Sequence, residues 1–350
     1  MKHFLALLMV LGAQSVFASD KHPFTFEYQQ LTYSGEIMQP QGAAKGMVVI
    51  IPGHGPTDFV EGAEYQELRA FFVAQQYSVA YWDKAGCGLS EGDYDHNQSI
   101  ESSAEEAIAA IAAIQGLGLP GVEHLGFWSI SRGGWIVPKI SESFEDMRFW
   151  ISVSGTTAIE NSRYMLEANL KAEKRTPEQV ALLMSEWDDY QRILVRGGTL
   201  EDFNASTQNL MADPYYNGDN FVMTAEILAN IQAFFGSGAL EFDDETNQIV
   251  MYPDLESTLR RLSIPVMAIL GRLDSQIDWQ ATGALYERAA QQGGMQLATV
   301  YLDNCNHVMQ RSVTGALYED LPPETPACDG YYGAMRKWFR VIEAGPTNTP

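Results

Sequence analysis

Cysteine is scarce in this chain, three in 350 residues: Cys87, Cys305 and Cys328. No Cys/His cluster has the spacing of a zinc site. Basic residues are also few, 22 against 45 acidic, for a formal charge of −23. Such a surface repels phosphate backbones and anionic membranes, which argues against nucleic-acid binding. There is no phosphate-binding glycine loop and no carboxylate pair that stands out as acid/base machinery. Metal and nucleotide chemistry therefore have no foothold, and no cofactor is expected. Apolar runs are too short to cross a bilayer, so no membrane insertion is expected, and no fixed-period repeat or low-complexity tract occurs.

What is present is an ordinary globular composition, 46% hydrophobic and 19% charged. The length suits one α/β domain carrying an insertion. Residues 1–18 read as a secretory signal peptide: a short polar start at Lys2 and His3, an apolar run from Phe4 to Gly12, and small residues before a cleavage site near Ala18. The expectation is an exported protein, periplasmic or secreted. An oxidising compartment permits one disulfide among three cysteines, and Cys305 with Cys328 is the pair that would tie down the segment following residue 302. The last residues, 344–350, read as a frayed end.

Residues 24–28 and 31–38 alternate like two antiparallel strands. Short apolar runs then alternate with amphipathic helices. Strands are expected at 47–51, 78–82, 125–128, 149–153, 264–270 and 297–302, and helices at about 62–75, 99–115, 132–140, 279–291 and 331–341. That alternation predicts a doubly wound, mostly parallel sheet. Between about 156 and 257 the text turns helical and polar, without buried-strand runs, and Thr176-Pro177-Glu178 marks one helix start. The organisation read from this is a core of residues 19–155 and 258–350 with a helical cap at 156–257 placed over the strand ends, where ligands bind in such sheets.

The chemistry concentrates in L-G-F-W-S-I-S-R-G-G-W at 125–135. A nucleophile on a tight strand-to-helix turn needs small residues two positions before and after it, because the strained backbone brings neighbours close. Ser131 has Ser129 and Gly133 there. Ser129 would have Phe127 and Ser131, a poorer fit. Serine is a weak nucleophile unless a base takes its proton and a third group holds the base. His307 alone among the histidines follows shortly after the last strand, and Asp274 follows the strand ending near Leu270. Asp278, its neighbour, reads instead as the cap of the helix at Trp279. A tetrahedral intermediate needs backbone donors: the N–H of Arg132 and, in the glycine-rich loop after the first parallel strand, the N–H of His54. Each residue has a plainer reading, Ser131 as a helix cap and His307 as a surface-loop histidine. Tyr164, Met165, Met184, Trp187, Tyr215, Tyr216, Phe234 and Phe235 suit either an apolar pocket or the interior of the cap.

The combination of P-G-H-G-P-T-D at 52–58, W-D-K-A-G-C-G-L-S at 82–90, the serine turn, and L-G-R-L-D at 270–274 resembles bacterial α/β-hydrolase esterases. It is similar in particular to the group described as dipeptidyl- or acylaminoacyl-peptidase-like. The resemblance runs from about residue 31 to 310 and is weakest through the cap. The chain order serine, acid, histidine agrees with it. It departs from the usual G-x-S-x-G by carrying Ser129 at the first glycine position. The Asp-Lys-x-Gly-x-Gly-x-Ser segment falls on Asp83, Lys84, Gly86, Gly88 and Ser90, with Ala85 where relatives often carry arginine. The resemblance implies the α/β-hydrolase fold and a cofactor-free ester hydrolase acting on a small-molecule acyl substrate. Amide hydrolysis by the same groups, or a catalytically inactive binding domain on this fold, are the alternatives.

Overall fold

A computed structural model describes residues 19–218, 220–238 and 240–344. The expected signal segment, and all but the first residue of the expected frayed end, lie outside the described residues. The chain opens with β1 (Asp20–Tyr28), β2 (Leu31–Gln39), β3 (Met47–Ile51), α1 (Gln66–Ala74), β4 (Ser78–Trp82), α2 (Ile100–Gly116), β5 (Leu125–Ile130), α3 (Gly133–Ser141) and β6 (Met147–Val153). An insertion follows: α4 (Ser162–Ala172), α5 (Pro177–Arg196), α6 (Leu200–Ser206), α7 (Gln208–Ala212), α8 (Ala225–Gly236), a hairpin of β7 (Glu241–Asp243) and β8 (Gln248–Val250), and α9 (Leu255–Arg261). The main sheet then resumes with β9 (Pro265–Gly271), α10 (Trp279–Gln292), β10 (Gln296–Leu302) and α11 (Tyr331–Glu343).

The main sheet has eight strands in the order β1-β2-β4-β3-β5-β6-β9-β10. β1 and β2 pair antiparallel, β2 meets β4 antiparallel, and every pairing from β4 to β10 is parallel. The apolar composition of β3 follows from its position. Met47, Val49 and Ile51 face one layer, with α2, α3, α9 and α10. Val48 and Ile50 face the other, with α1 and α11. A strand buried on both faces leaves no polar side to alternate.

Local signals decide where helices begin. Ser99 caps α2 by accepting the Ser102 N–H. Thr176 and Gln179 form a reciprocal capping box at α5. Asp278 accepts the N–H groups of Gln280 and Ala281 at the start of α10.

The insertion builds two small cores of its own. One gathers α4, α5 and α7 around Trp187; the other gathers Ile193, Phe203 and Leu228. The expected all-helical cap is corrected here by β7 and β8, which pair antiparallel, and by the bridge from Ile159 to Val250. Three-residue strands, none of them fully buried, are too short for alternation to register. The expected boundary at residue 257 also falls inside α9, whose Leu255 and Leu259 belong to the main core.

Candidate active site

Five parallel strands deliver loops to one end of the sheet. β5 ends at Ile130 and passes through Ser131 into α3. Ser131 takes φ 54°, the left-handed region that a side chain rarely adopts. Its N–H donates to the Val153 carbonyl at 3.0 Å, and its own carbonyl accepts the Gly134 N–H at 2.7 Å. The close approach required by such a turn is measurable at Gly133. A Cβ there would sit 2.8 Å from the Ser129 Cβ and 2.9 Å from the Ile51 carbonyl oxygen. Ser129 is fully buried, and its hydroxyl accepts the Trp150 indole N–H at 2.9 Å. Serine in place of the usual glycine is thus used as a core hydrogen-bond acceptor, while the Ser131 hydroxyl is left without a hydrogen bond among the described residues.

Asp274 and His307 are brought together by the loops after β9 and β10. Gly271 lets those loops touch: a Cβ there would lie 2.5 Å from the Cys305 carbonyl oxygen. The Leu273 N–H then donates to that carbonyl at 3.0 Å. His307 Nδ1 donates to Asp274 Oδ2 at 2.9 Å, with Oδ1 at 3.1 Å. Asp274 Oδ1 also accepts the Gln276 and Ile277 N–H groups at 2.9 and 3.1 Å, so the carboxylate is fixed in place. Both side chains are buried. A carboxylate on Nδ1 sets the tautomer that leaves Nε2 as an acceptor. The expected disulfide is present between Cys305 and Cys328, with a Cα–Cα distance of 5.5 Å. It ties the His307 loop to the segment leading into α11, and Cys87 is a buried free thiol.

Ser131, His54 and Arg132 line one cavity of about 900 Å³. His54, His96, Asn97 and Gln98 contribute a polar portion of its wall. Trp135, Phe234, Leu240, Val250 and Met251 contribute an apolar one, much of it from the insertion. Of the aromatic and methionine residues noted in the sequence, Phe234 lines this cavity, whereas Met184 and Trp187 fill the insertion's own core. Tyr164 does neither, and its hydroxyl donates to the Asp274 carbonyl at 3.0 Å. The backbone N–H groups of His54 and Arg132 make no hydrogen bond among the described residues.

The residues named from the sequence therefore form two sets, Asp274 with His307, and Ser131 with His54 and Arg132. No side-chain hydrogen bond joins Ser131 to His307 among the described residues. The connection runs through the end of β6. Ser154, next to the Val153 that holds the Ser131 N–H, donates its hydroxyl to the His307 carbonyl at 2.7 Å.

Two cations surround the loop carrying His54. The Arg132 guanidinium donates to Ser103 Oγ at 3.0 Å and to the carbonyls of Gln98 and Ser99. Lys84 Nζ donates to the carbonyls of Gly53 and Gly55, each at 2.7 Å. Burial, reinforced by Arg132, pulls the Lys84 ammonium down to about 8. Burial, then Lys84 and Arg132, also lower the His54 imidazole below its usual range. Lys84 and Ser154 had no assigned role in the sequence reading. Lys84 was visible only as a motif letter, and Ser154 carried no signal.

No protein-family model matches the chain, and neither does any curated protein. Solved structures do match. A complex of DcsB with its substrate analogue aligns at TM-score 0.53 and 14% identity over 93% of this chain and 100% of that one. Est1E from Butyrivibrio proteoclasticus with ferulic acid bound aligns at TM-score 0.50 and 12% identity over 92% and 98%. The Pyrococcus furiosus esterase Pf2001 aligns at TM-score 0.50 and 12% identity over 84% of each chain. The chain has the α/β-hydrolase fold.

Proposed function

We propose that the protein is a serine hydrolase that cleaves carboxylic esters. Ser131 is the nucleophile, His307 the base and Asp274 the residue that orients the base. The observation that carries this reading is the left-handed backbone at Ser131, which holds an unbonded hydroxyl at the wall of the large cavity. The buried His307–Asp274 pair supports it from the adjoining loop. Nucleophile–base hydrogen bonds often form only once substrate is bound, which accommodates the missing Ser131–His307 contact.

In the proposed reaction, Ser131 Oγ bonds to the acyl carbon while His307 Nε2 takes its proton, and Asp274 stabilises the imidazolium. The N–H groups of His54 and Arg132 hold the oxyanion. The imidazolium returns the proton to the departing alkoxide. Water, deprotonated by His307, then attacks the acyl-enzyme, releasing the carboxylic acid and restoring Ser131. Among the described residues no group of three or more His, Cys, Asp or Glu is placed to hold a metal, and no helix is long and apolar enough to cross a membrane. The Cys305–Cys328 bond supports export into an oxidising compartment.

Paired p-nitrophenyl esters and p-nitroanilides of the same acyl chain test the assignment and separate esterase from amidase. Ester turnover that falls by several orders of magnitude in both S131A and H307A is expected. Wild-type turnover of anilides alone would move the reading to an amidase. No turnover of either would favour a binding domain.

A further inference from the structure

Lys84 stands behind the loop that carries His54, and the proposed chemistry leaves it unused. It lines a separate cavity of about 20 Å³, with Ile51, Pro52, Glu106, Arg132 and Ile136, and not the large cavity that His54 and Ser131 line. Its ammonium receives two carbonyls of one short loop, Gly53 and Gly55, at 2.7 Å each. Two carbonyl dipoles converging on one point repel each other unless a cation sits between them, so the loop's shape depends on that charge.

The consequence for His54 comes from peptide geometry. The Gly53 carbonyl and the His54 N–H belong to one planar trans unit, in which C=O and N–H point in opposite directions. Anchoring the Gly53 oxygen on Lys84 therefore turns the His54 N–H away from Lys84. The same stretch of chain runs beside the candidate nucleophile: a Cβ on Gly53 would lie 3.2 Å from the Ser131 Cβ. On the other side of His54, the Gly55 N–H is taken by the Tyr94 hydroxyl at 3.0 Å. The His54 N–H is then the one amide from His54 to Pro56 left without a partner among the described residues, since Pro56 has none to offer.

Neighbouring contacts hold Lys84 and the loop together. The Lys84 N–H donates to Thr57 Oγ1 at 2.9 Å. Asp83 Oδ1 accepts the Phe59 N–H at 2.6 Å. The Ser90 hydroxyl donates to the Asp83 carbonyl at 2.6 Å. The segment from Asp83 to Ser90 is in this way a buckle closed over residues 53–59.

We infer that Lys84 is a positioning residue for the oxyanion site: by binding the carbonyls on both sides of His54, it aims the His54 N–H at the oxygen that becomes charged during acyl transfer. The inference rests on the hydrolase reading above. It requires that loss of Lys84 lower the stabilisation of the transition state rather than the binding of substrate.

The test compares wild type, K84M and S131A in ester turnover, in the rate of covalent modification by a fluorophosphonate, and in thermal melting. Removing one oxyanion donor costs roughly 10²- to 10³-fold in kcat, so misaiming one should cost about 30- to 300-fold in K84M, with KM within about threefold. The phosphonate adduct places its oxygen in the same site, so its rate of formation should fall in parallel. K84Q, which keeps one donor arm, should fall between the two and serves as the readout where K84M does not fold. Wild type active through Ser131 with K84M, or failing that K84Q, within threefold in kcat and labelling rate overturns the inference alone. So does a loss confined to KM. Wild type that neither turns over esters nor takes the label overturns the hydrolase reading and this one with it.

Discussion

The Ser154 hydroxyl donates to the His307 carbonyl at 2.7 Å, and this contact couples the loop of the candidate base to the turn of the candidate nucleophile. Ser154 itself takes φ 44° and donates its N–H to the Ile269 carbonyl at 2.9 Å. The end of β6 therefore reaches Ser131, β9 and His307 from adjacent residues. S154A keeps the His307–Asp274 pair but frees the carbonyl that sets the loop's height. About 1 kcal/mol of stability should be lost, and kcat should fall roughly tenfold through misplacement of the base. Steady-state kinetics beside a melting curve check this; unchanged kcat would show that the Asp274 bond alone suffices.

The serine turn makes an asymmetric forecast about two neighbouring positions. G133A forces a Cβ to within 2.8 Å of Ser129 and 2.9 Å of the Ile51 carbonyl, so little folded, active protein is expected. S129A removes no atom from the cavity and leaves the buried Trp150 N–H unpaired, a cost of about 1–3 kcal/mol. Its kcat should stay within a few-fold of wild type. A dead S129A beside an active S131A would reverse the assignment of the nucleophile.

Much of the fold was legible because burial writes itself into the sequence. β3 and β4 were expected at their observed bounds, since each is apolar along its length, and capping side chains at Ser99, Thr176 and Asp278 marked helix starts. Ser131, Asp274 and His307 were legible from their positions just past strand ends and from the small residues around the turn. The hairpin β7–β8 was not, because three half-exposed residues per strand carry no period. Nor were the roles of Lys84 and Ser154, because a bond to a main-chain carbonyl asks nothing of the sequence around that carbonyl. The pairing of Cys305 with Cys328 was a choice between few cysteines, and it became physical only when the loops after β9 and β10 were seen to meet.

Glu319 gives the acid end of the pH profile. Its carboxylate accepts the Val313, Thr314 and Gly315 N–H groups at 2.8, 3.1 and 2.7 Å and two hydroxyls, from Ser312 and Thr314. Partial burial raises its acidity constant, but those donors, led by the Ser312 hydroxyl, outweigh it and pull the group from 4.5 down to about 2. Because the folded value lies below the unfolded one, the stabilisation is complete above about pH 4.5 and drains away as the pH falls toward 2. Gly315 also accepts the Ser275 hydroxyl at 2.6 Å, beside Asp274. E319Q should lose about 1 kcal/mol at neutral pH once solvent screening is allowed for. Below pH 4.5 it should lose stability less steeply than wild type. Denaturant melts at pH 7, 5 and 3 measure this, and parallel slopes for the two proteins would contradict it.

The Cys305–Cys328 bond closes a loop with a sequence separation of 23, a constraint of about 3 kcal/mol in the chain-entropy picture. Denatured, unreduced protein should titrate one thiol per chain, that of Cys87. C328S should melt lower and lose activity at temperatures where wild type is stable, since the His307 loop begins two residues after the bond. Three titratable thiols, or a C328S melting curve superimposed on that of wild type, would show that the bond is absent or idle.

The most direct measurement of the central claim is fluorophosphonate labelling of the purified chain followed by peptide mapping. Covalent label on Ser131, lost in H307A and S131A while both variants remain folded, is the predicted result. Label on another residue, undiminished label in folded H307A, or no label on folded wild type would contradict a hydrolase built on Ser131, His307 and Asp274.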